Sequence, residues 1–382
     1  MRSETSKIDH SFLWITLILV GIGLVMIFSA TTYLTFIHAK DPFVYLRHHL
    51  IRLGIGLFAL FMGVRIRYTL WRHLIPIFVL ASLLLLFITL IFGKVAGGAR
   101  RWIEFFRFTL QPSEFVKIGL VFYLAGFFAS RQEEGGTFSN FVLPPLFITS
   151  VIVLLIAFQP NIGTAIGISL LAGVLFFAGG VKLRHLFLIG ILGLLCFGIL
   201  ILSSPHAKAR VTGFISKSAY QVHQSIIAIG SGGIFGNGLG ESKQKFLFLP
   251  KLHTDFIFSI LAEETGFLGS LLVFFLFLAF LFKGLGIAKE APDRFGLLTA
   301  SGLSAMVFLY FILHTGVAMG VFPPTGLPLP FISFGGSALI ANLFSVGVIL
   351  NISKYRQKRR IDEDSLSSRW NRRTYLSRYR SE

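Results

Sequence analysis

The sequence predicts an all-α polytopic membrane protein of about ten transmembrane helices, with a long external loop between the seventh and the eighth. Three observations predict it. Of 382 residues, 54% are hydrophobic and only 14% charged, with a mean hydropathy of +0.77, values that no soluble class combines. Apolar runs recur that are long enough to cross about 30 Å of hydrocarbon at about 1.5 Å per residue. Basic residues gather in alternate loops, as cytoplasmic loops do.

The N-terminal MRSETSKIDH opens directly into the first apolar run, 12–35, without a small-residue cleavage site, and reads as an uncleaved signal anchor. Runs at 47–64 and 73–93 follow, with Arg65, Arg67 and Arg72 between them. The fourth run, 112–130, opens on Gln111, Pro112, Ser113 and Glu114. Pro112 stands where a missing N–H is harmless. Lys117 falls three residues after Glu114 on one helical face, the spacing of an ion pair. Runs at 141–158 and 163–180 are shorter and are joined by FQPNIGTA; Lys182 and Arg184 follow the second of them. The seventh run, 184–203, holds the single Cys196, so there is no disulfide framework and no cysteine-based metal site. The eighth, 256–282, is followed by Lys283, Lys289 and Arg294. The last two, 296–322 and 333–353, are joined by VFPPTGLPLPFISFGGSA, whose four prolines and three glycines forbid a regular helix. Irregular backbone at membrane depth belongs where it lines a cavity. One transmembrane domain, 1–353, thus precedes a basic cytoplasmic tail, 354–382, suited to anionic lipid rather than to nucleic acid. Ten spans place both termini on the cytoplasmic side. No internal repeat marks a transporter, and the ten histidines show no zinc-ligand spacing.

Two external loops break the charge rule. Loop 94–111 carries Lys94, Arg100, Arg101 and Arg107 against Glu104, and loop 204–255 carries Lys208, Arg210, Lys217, Lys243, Lys245 and Lys251. Cations kept on the disfavoured face suggest an anionic ligand. Gly97 and Gly98 allow close backbone approach beside Arg100 and Arg101, whose guanidinium groups suit phosphate. Trp102 is either an interfacial anchor or a stacking surface. At the eighth span, His253, Thr254 and Asp255 lead into a run that also holds Glu263 and Glu264. Ionisable groups there point to function, with Asp255 foremost; the plainer alternative is that Thr254 or Asp255 caps the helix.

These motifs carry a resemblance. GGARRW (97–102), QPSEFVKIG (111–119), QPNIGTA (159–165), YQVHQSIIAIGSGG (220–233), FLPKLHTDFIFSILAEETGFLG (248–269) and PPTGLPLPFISFGGSAL (323–339) together resemble the SEDS family of peptidoglycan glycosyltransferases, FtsW and RodA. GLGESKQKFLFLP (238–250) is most similar to the FtsW branch. The resemblance implies polymerisation of lipid II during cell division in the cytoplasmic membrane. It places the catalytic aspartate on Asp255 and the basic loop on Arg100 and Arg101. Trp102, Arg210, Lys245, Glu114, Lys117 and Ser337 complete the expected substrate-binding set. The expected partners are a class B penicillin-binding protein of the FtsI type and other division proteins. No cofactor is required by this chemistry, although a divalent cation, Mg or Mn, bridging the pyrophosphate would serve in place of some of the arginines. The chain departs from the family at Gly97, Asn161 and His314, where Asn, Asp and Asn are usual.

Asp255 would act as general base on a sugar hydroxyl, and the cations would stabilise the departing pyrophosphate. A donor α-linked and a product β-linked suit a single inverting displacement with one carboxylate. The alternatives are a lipid II flippase, using Asp255, Glu263 and Glu264 as an ion relay, and a non-catalytic division scaffold.

Overall fold

A computed structural model of the chain describes residues 8–38, 43–96, 99–105, 108–131, 138–216, 219–245 and 254–355. Gly97, Gly98, Arg107, Lys217, Lys251, His253, the motif segment 246–253 and the tail beyond Tyr355 lie outside the described residues. In chain order the helices are α1 (His10–His38), α2 (Val44–Arg65), α3 (Tyr68–His73), α4 (Ile75–Phe92), α5 (Pro112–Ser130), α6 (Phe138–Phe141) and α7 (Leu143–Phe158). They continue with α8 (Ile162–Gly179), α9 (Leu183–Ser203), α10 (Pro205–Ile215), α11 (Tyr220–Ser231), α12 (Ile257–Lys289), α13 (Arg294–Ala318) and α14 (Gly336–Tyr355).

Among the described residues, nine helices are long and apolar enough to cross a membrane. The other expected span falls on α7, which at 16 residues is shorter. The protein is thus a multi-pass helical bundle. Helices α5, α13 and α14 form its middle, each burying most of its apolar window, whereas α9 buries none of its side chains. Small residues let the middle close up. A Cβ on Gly347 of α14 would lie 2.3 Å from the Leu60 carbonyl oxygen of α2, so the two backbones pack nearly in contact.

Two stretches expected as loops have structure of their own. Loop 94–111 is a three-stranded antiparallel meander of β1 (Lys94–Ala96), β2 (Ala99–Phe105) and β3 (Phe108–Leu110). Its aromatic and β-branched residues, Trp102, Ile103, Phe105 and Phe108 among them, suit strands. Loop 204–255 begins with α10 and α11. Ser204 caps α10 with its hydroxyl, and Ser225 of α11 donates to the Ala318 carbonyl of α13.

Helix α12 is interrupted at Gly266, whose φ of 70° and ψ of −164° lie in a region that glycine alone populates readily. The stretch from Phe267 to Lys289 already covers about 34 Å at about 1.5 Å per residue, enough for the hydrocarbon layer. The part of α12 after Gly266 is therefore long enough to cross the hydrocarbon without residues 255–265. At the break, segment 232–238 runs alongside: Phe267 and Leu268 donate to the carbonyls of Gly233 and Ile234, and Asn237 and Gly238 donate to those of Glu263 and Glu264. A Cβ at Gly266 would lie 2.3 Å from the Gly236 nitrogen. Gly266→Ala is expected to cost about 1–3 kcal/mol from backbone strain alone. A thermal midpoint in detergent several degrees below wild type checks it; an equal midpoint would contradict the close approach.

Candidate active site

The meander, α10, the turn before α12 and the proline-rich segment after α13 meet at one end of the bundle. β2 is irregular here, with Arg100 opposite Val95 and Trp102 opposite Lys94, so Arg101 is the extra residue of a bulge. Arg101 is half-buried and donates from Nη2 to the Pro160 carbonyl at 2.7 Å. Arg100 is exposed and donates to the Ile91 carbonyl at 3.3 Å. The two arginines, expected to act together, thus bond different partners. Trp102 beside them is half-buried.

Asp255 occupies the turn before α12. The residue at the N-cap is Phe256, whose own side chain makes no capping bond. Thr254 is held through its carbonyl, which accepts from the Ser333 hydroxyl at 2.7 Å, and that hydroxyl also accepts from the Leu329 N–H at 2.8 Å. The turn is so fastened to the proline-rich segment. Within that segment Gly326, at φ +71°, turns its bare Cα toward the site: a Cβ there would lie 3.6 Å from Asp255 Oδ2 and 3.8 Å from Arg101 Nη1. Carboxylate and guanidinium hence border one space. Arg210 on α10 enters from another side, donating to the Pro324 carbonyl at 3.5 Å. Burial, then the like charge of Arg210, lowers the Arg101 pKa to about 10, while Asp255 opposes the fall. Arg101 stays cationic at neutral pH.

A small cleft of about 60 Å³ is lined by Arg210 together with Pro160, Ile162, Ile166, Ile201 and Val211. Its walls are apolar and its rim cationic, which suits a lipid bearing an anionic head.

The remaining candidates fall around this group rather than in it. Glu114 and Lys117 form a buried ion pair of 2.7 Å in α5, with the ammonium 3.8 Å from the centre of the Tyr310 ring. The Ser337 hydroxyl accepts from the Gln111 N–H at 3.0 Å, tying the start of α14 to that of α5. Lys245 is buried on the loop that Glu263 holds; the Glu263 carboxylate accepts from the Ser242 hydroxyl and the Lys243 N–H. The Glu264 carboxylate accepts from Ser29 of α1. Both glutamates are therefore fasteners of backbone and loop. Gly326 and Pro160 are the participants that sequence reasoning did not single out, and the glycine between prolines was the available signal.

A family model described as "Cell cycle protein", for FtsW, RodA and SpoVE, matches residues 10–358. Stage V sporulation protein E of Bacillus subtilis (strain 168) is 37% identical over 93% of this chain and 99% of its own. The probable peptidoglycan glycosyltransferase FtsW of Coxiella burnetii is 36% identical over 92% of this chain and 98% of its own. Among solved structures, RodA of Thermus thermophilus superimposes with a TM-score of 0.70 at 29% identity, covering 91% of this chain and 97% of that one. A chain of a peptidoglycan synthase complex, solved to explain the coordination of polymerization and crosslinking, gives 0.74 at 29% identity, covering 91% and 98%.

Proposed function

The chain belongs to the FtsW, RodA and SpoVE family of peptidoglycan glycosyltransferases, and from that premise we propose that it polymerises lipid II with Asp255 as general base and Arg101 and Arg210 on the pyrophosphate. The observation that carries this is the shared space in front of Gly326, bordered by Asp255 Oδ2 and Arg101 Nη1. In the step, a sugar hydroxyl of one lipid-linked glycan attacks the anomeric carbon of another. Asp255 takes the hydroxyl proton as the new C–O bond forms. The bond to the lipid pyrophosphate breaks on the opposite face, and its electron pair leaves with the phosphate oxygen, inverting the anomeric centre. Arginines already in place meet the charge that develops there. Arg101 suits this because its fork is held at one end by the Pro160 carbonyl. The cleft beside Arg210 would take the first part of the polyprenyl chain.

A divalent cation, Mg or Mn, fits the same site only through the substrate. Among the described residues no three ligating side chains come together, so Asp255 would be its protein ligand and the phosphates the others. Bound so, it would add positive charge at the leaving group. Further proposals are the cytoplasmic membrane as location, cytoplasmic termini, and assembly with an FtsI-type class B penicillin-binding protein and other division proteins. Relatives named FtsW support the division branch. The flippase reading loses its relay, since Glu263 and Glu264 are engaged in holding loops and α1.

The test is purified protein with labelled lipid II, with and without the FtsI-type partner. Glycan strands on a gel, increased by the partner, are expected. Lipid II crossing vesicles without strand formation would replace this reading with the flippase.

A further inference from the structure

We propose that His314 is a positioning residue for this reaction, holding the Leu327 carbonyl through Nδ1–H and thereby fixing Gly326 against Asp255 and Arg101. The inference rests on the reading of Asp255 given above. His314 lies in α13, 1% exposed, with Nδ1 2.7 Å from the Leu327 oxygen. A carbonyl only accepts, so Nδ1 carries the hydrogen and a neutral ring keeps its lone pair on Nε2. Nε2 is buried and has no hydrogen-bond partner in the structure. The directional work of the ring is therefore done by the bond to Leu327.

That bond reaches the reacting groups in one residue. Gly326 precedes Leu327, and its open face borders Asp255 Oδ2 and Arg101 Nη1. Beside the Arg210 bond to the Pro324 carbonyl, the proline-rich segment has two further fasteners. Ser333 ties it to the Thr254 carbonyl, next to Asp255 in the chain, and His314 ties its middle to α13. With the second released, Gly326 is free to shift relative to Asp255, and the buried Leu327 carbonyl loses its donor. An Asn at this position would supply the same donor, because its amide N–H takes the place of Nδ1–H, whereas Gln would place its amide where Nε2 stands.

The experiment compares H314N, H314Q and H314L with wild type in lipid II polymerisation, measuring kcat, KM and thermal midpoint, with D255N run alongside. H314N is expected to hold kcat within about threefold, while H314Q and H314L lose about tenfold or more, with KM changing little, as misplacement near a reacting centre costs rate rather than binding. H314Q as active as H314N, or H314L at wild-type kcat, overturns the inference. Should H314L fail to accumulate, the contrast of Asn with Gln decides by itself. Full activity in D255N removes the base reading and the positioning inference with it. An inactive D255N beside a wild-type H314Q removes the positioning inference alone.

Discussion

Asp255→Asn is expected to reach the membrane at normal levels, bind lipid II, and lose polymerisation by about 10² to 10⁴-fold, the range a positioned general base contributes. Asparagine keeps the size of the side chain but takes no proton from a sugar hydroxyl. The N-cap of α12 is Phe256, so the substitution falls before the helix itself, and asparagine accepts a backbone N–H about as well as aspartate does. Asp255→Glu is the companion variant. One added methylene displaces the carboxylate by about 1 Å, and displacement on that scale can cost about 10²-fold. Strand synthesis by purified Asp255→Asn at the wild-type rate would end the assignment of the base.

Arg101→Ala is expected to lower polymerisation on the order of 10²-fold, the cost of removing one preorganised donor from developing charge. Arg101→Lys should recover only part of this. An ammonium is a point charge and does not hold the Pro160 carbonyl and a phosphate with one rigid fork. Arg100→Ala, at an exposed side chain that bonds the Ile91 carbonyl, should lose much less than Arg101→Ala. Equal losses at the two positions would show that placement beside Asp255 does not select the arginine that meets the substrate.

Much of this was legible in the sequence because hydrocarbon imposes long, uninterrupted apolar runs. The expected spans at 12–35, 112–130 and 184–203 fall on α1, α5 and α9 with small shifts at their ends. Asp255 was legible for the same reason, as a carboxylate beside an apolar run. The different surroundings of Arg100 and Arg101 were not, since a basic pair in a supposed loop carries no sign of the strand that holds it. Glu263 and Glu264 read as intramembrane carboxylates because α12 is one apolar run in sequence. The break at Gly266, which interrupts that run just after them, depends on backbone pairing with Gly233, Ile234 and Gly236, about thirty residues earlier. His314 stood out only as a departure from a motif, and its donor role depends on a carbonyl 13 residues away in an irregular segment.

The break at Gly266 also bears on how the chain is made. The stretch Phe267–Lys289, whose charged residues are Lys283 and Lys289 near one end, is long enough to be committed to lipid by itself. Asp255, Glu263 and Glu264 lie before the break, and a span that starts at the break carries none of their partitioning cost. Insertion and chemistry can thus be served by different stretches on the two sides of Gly266.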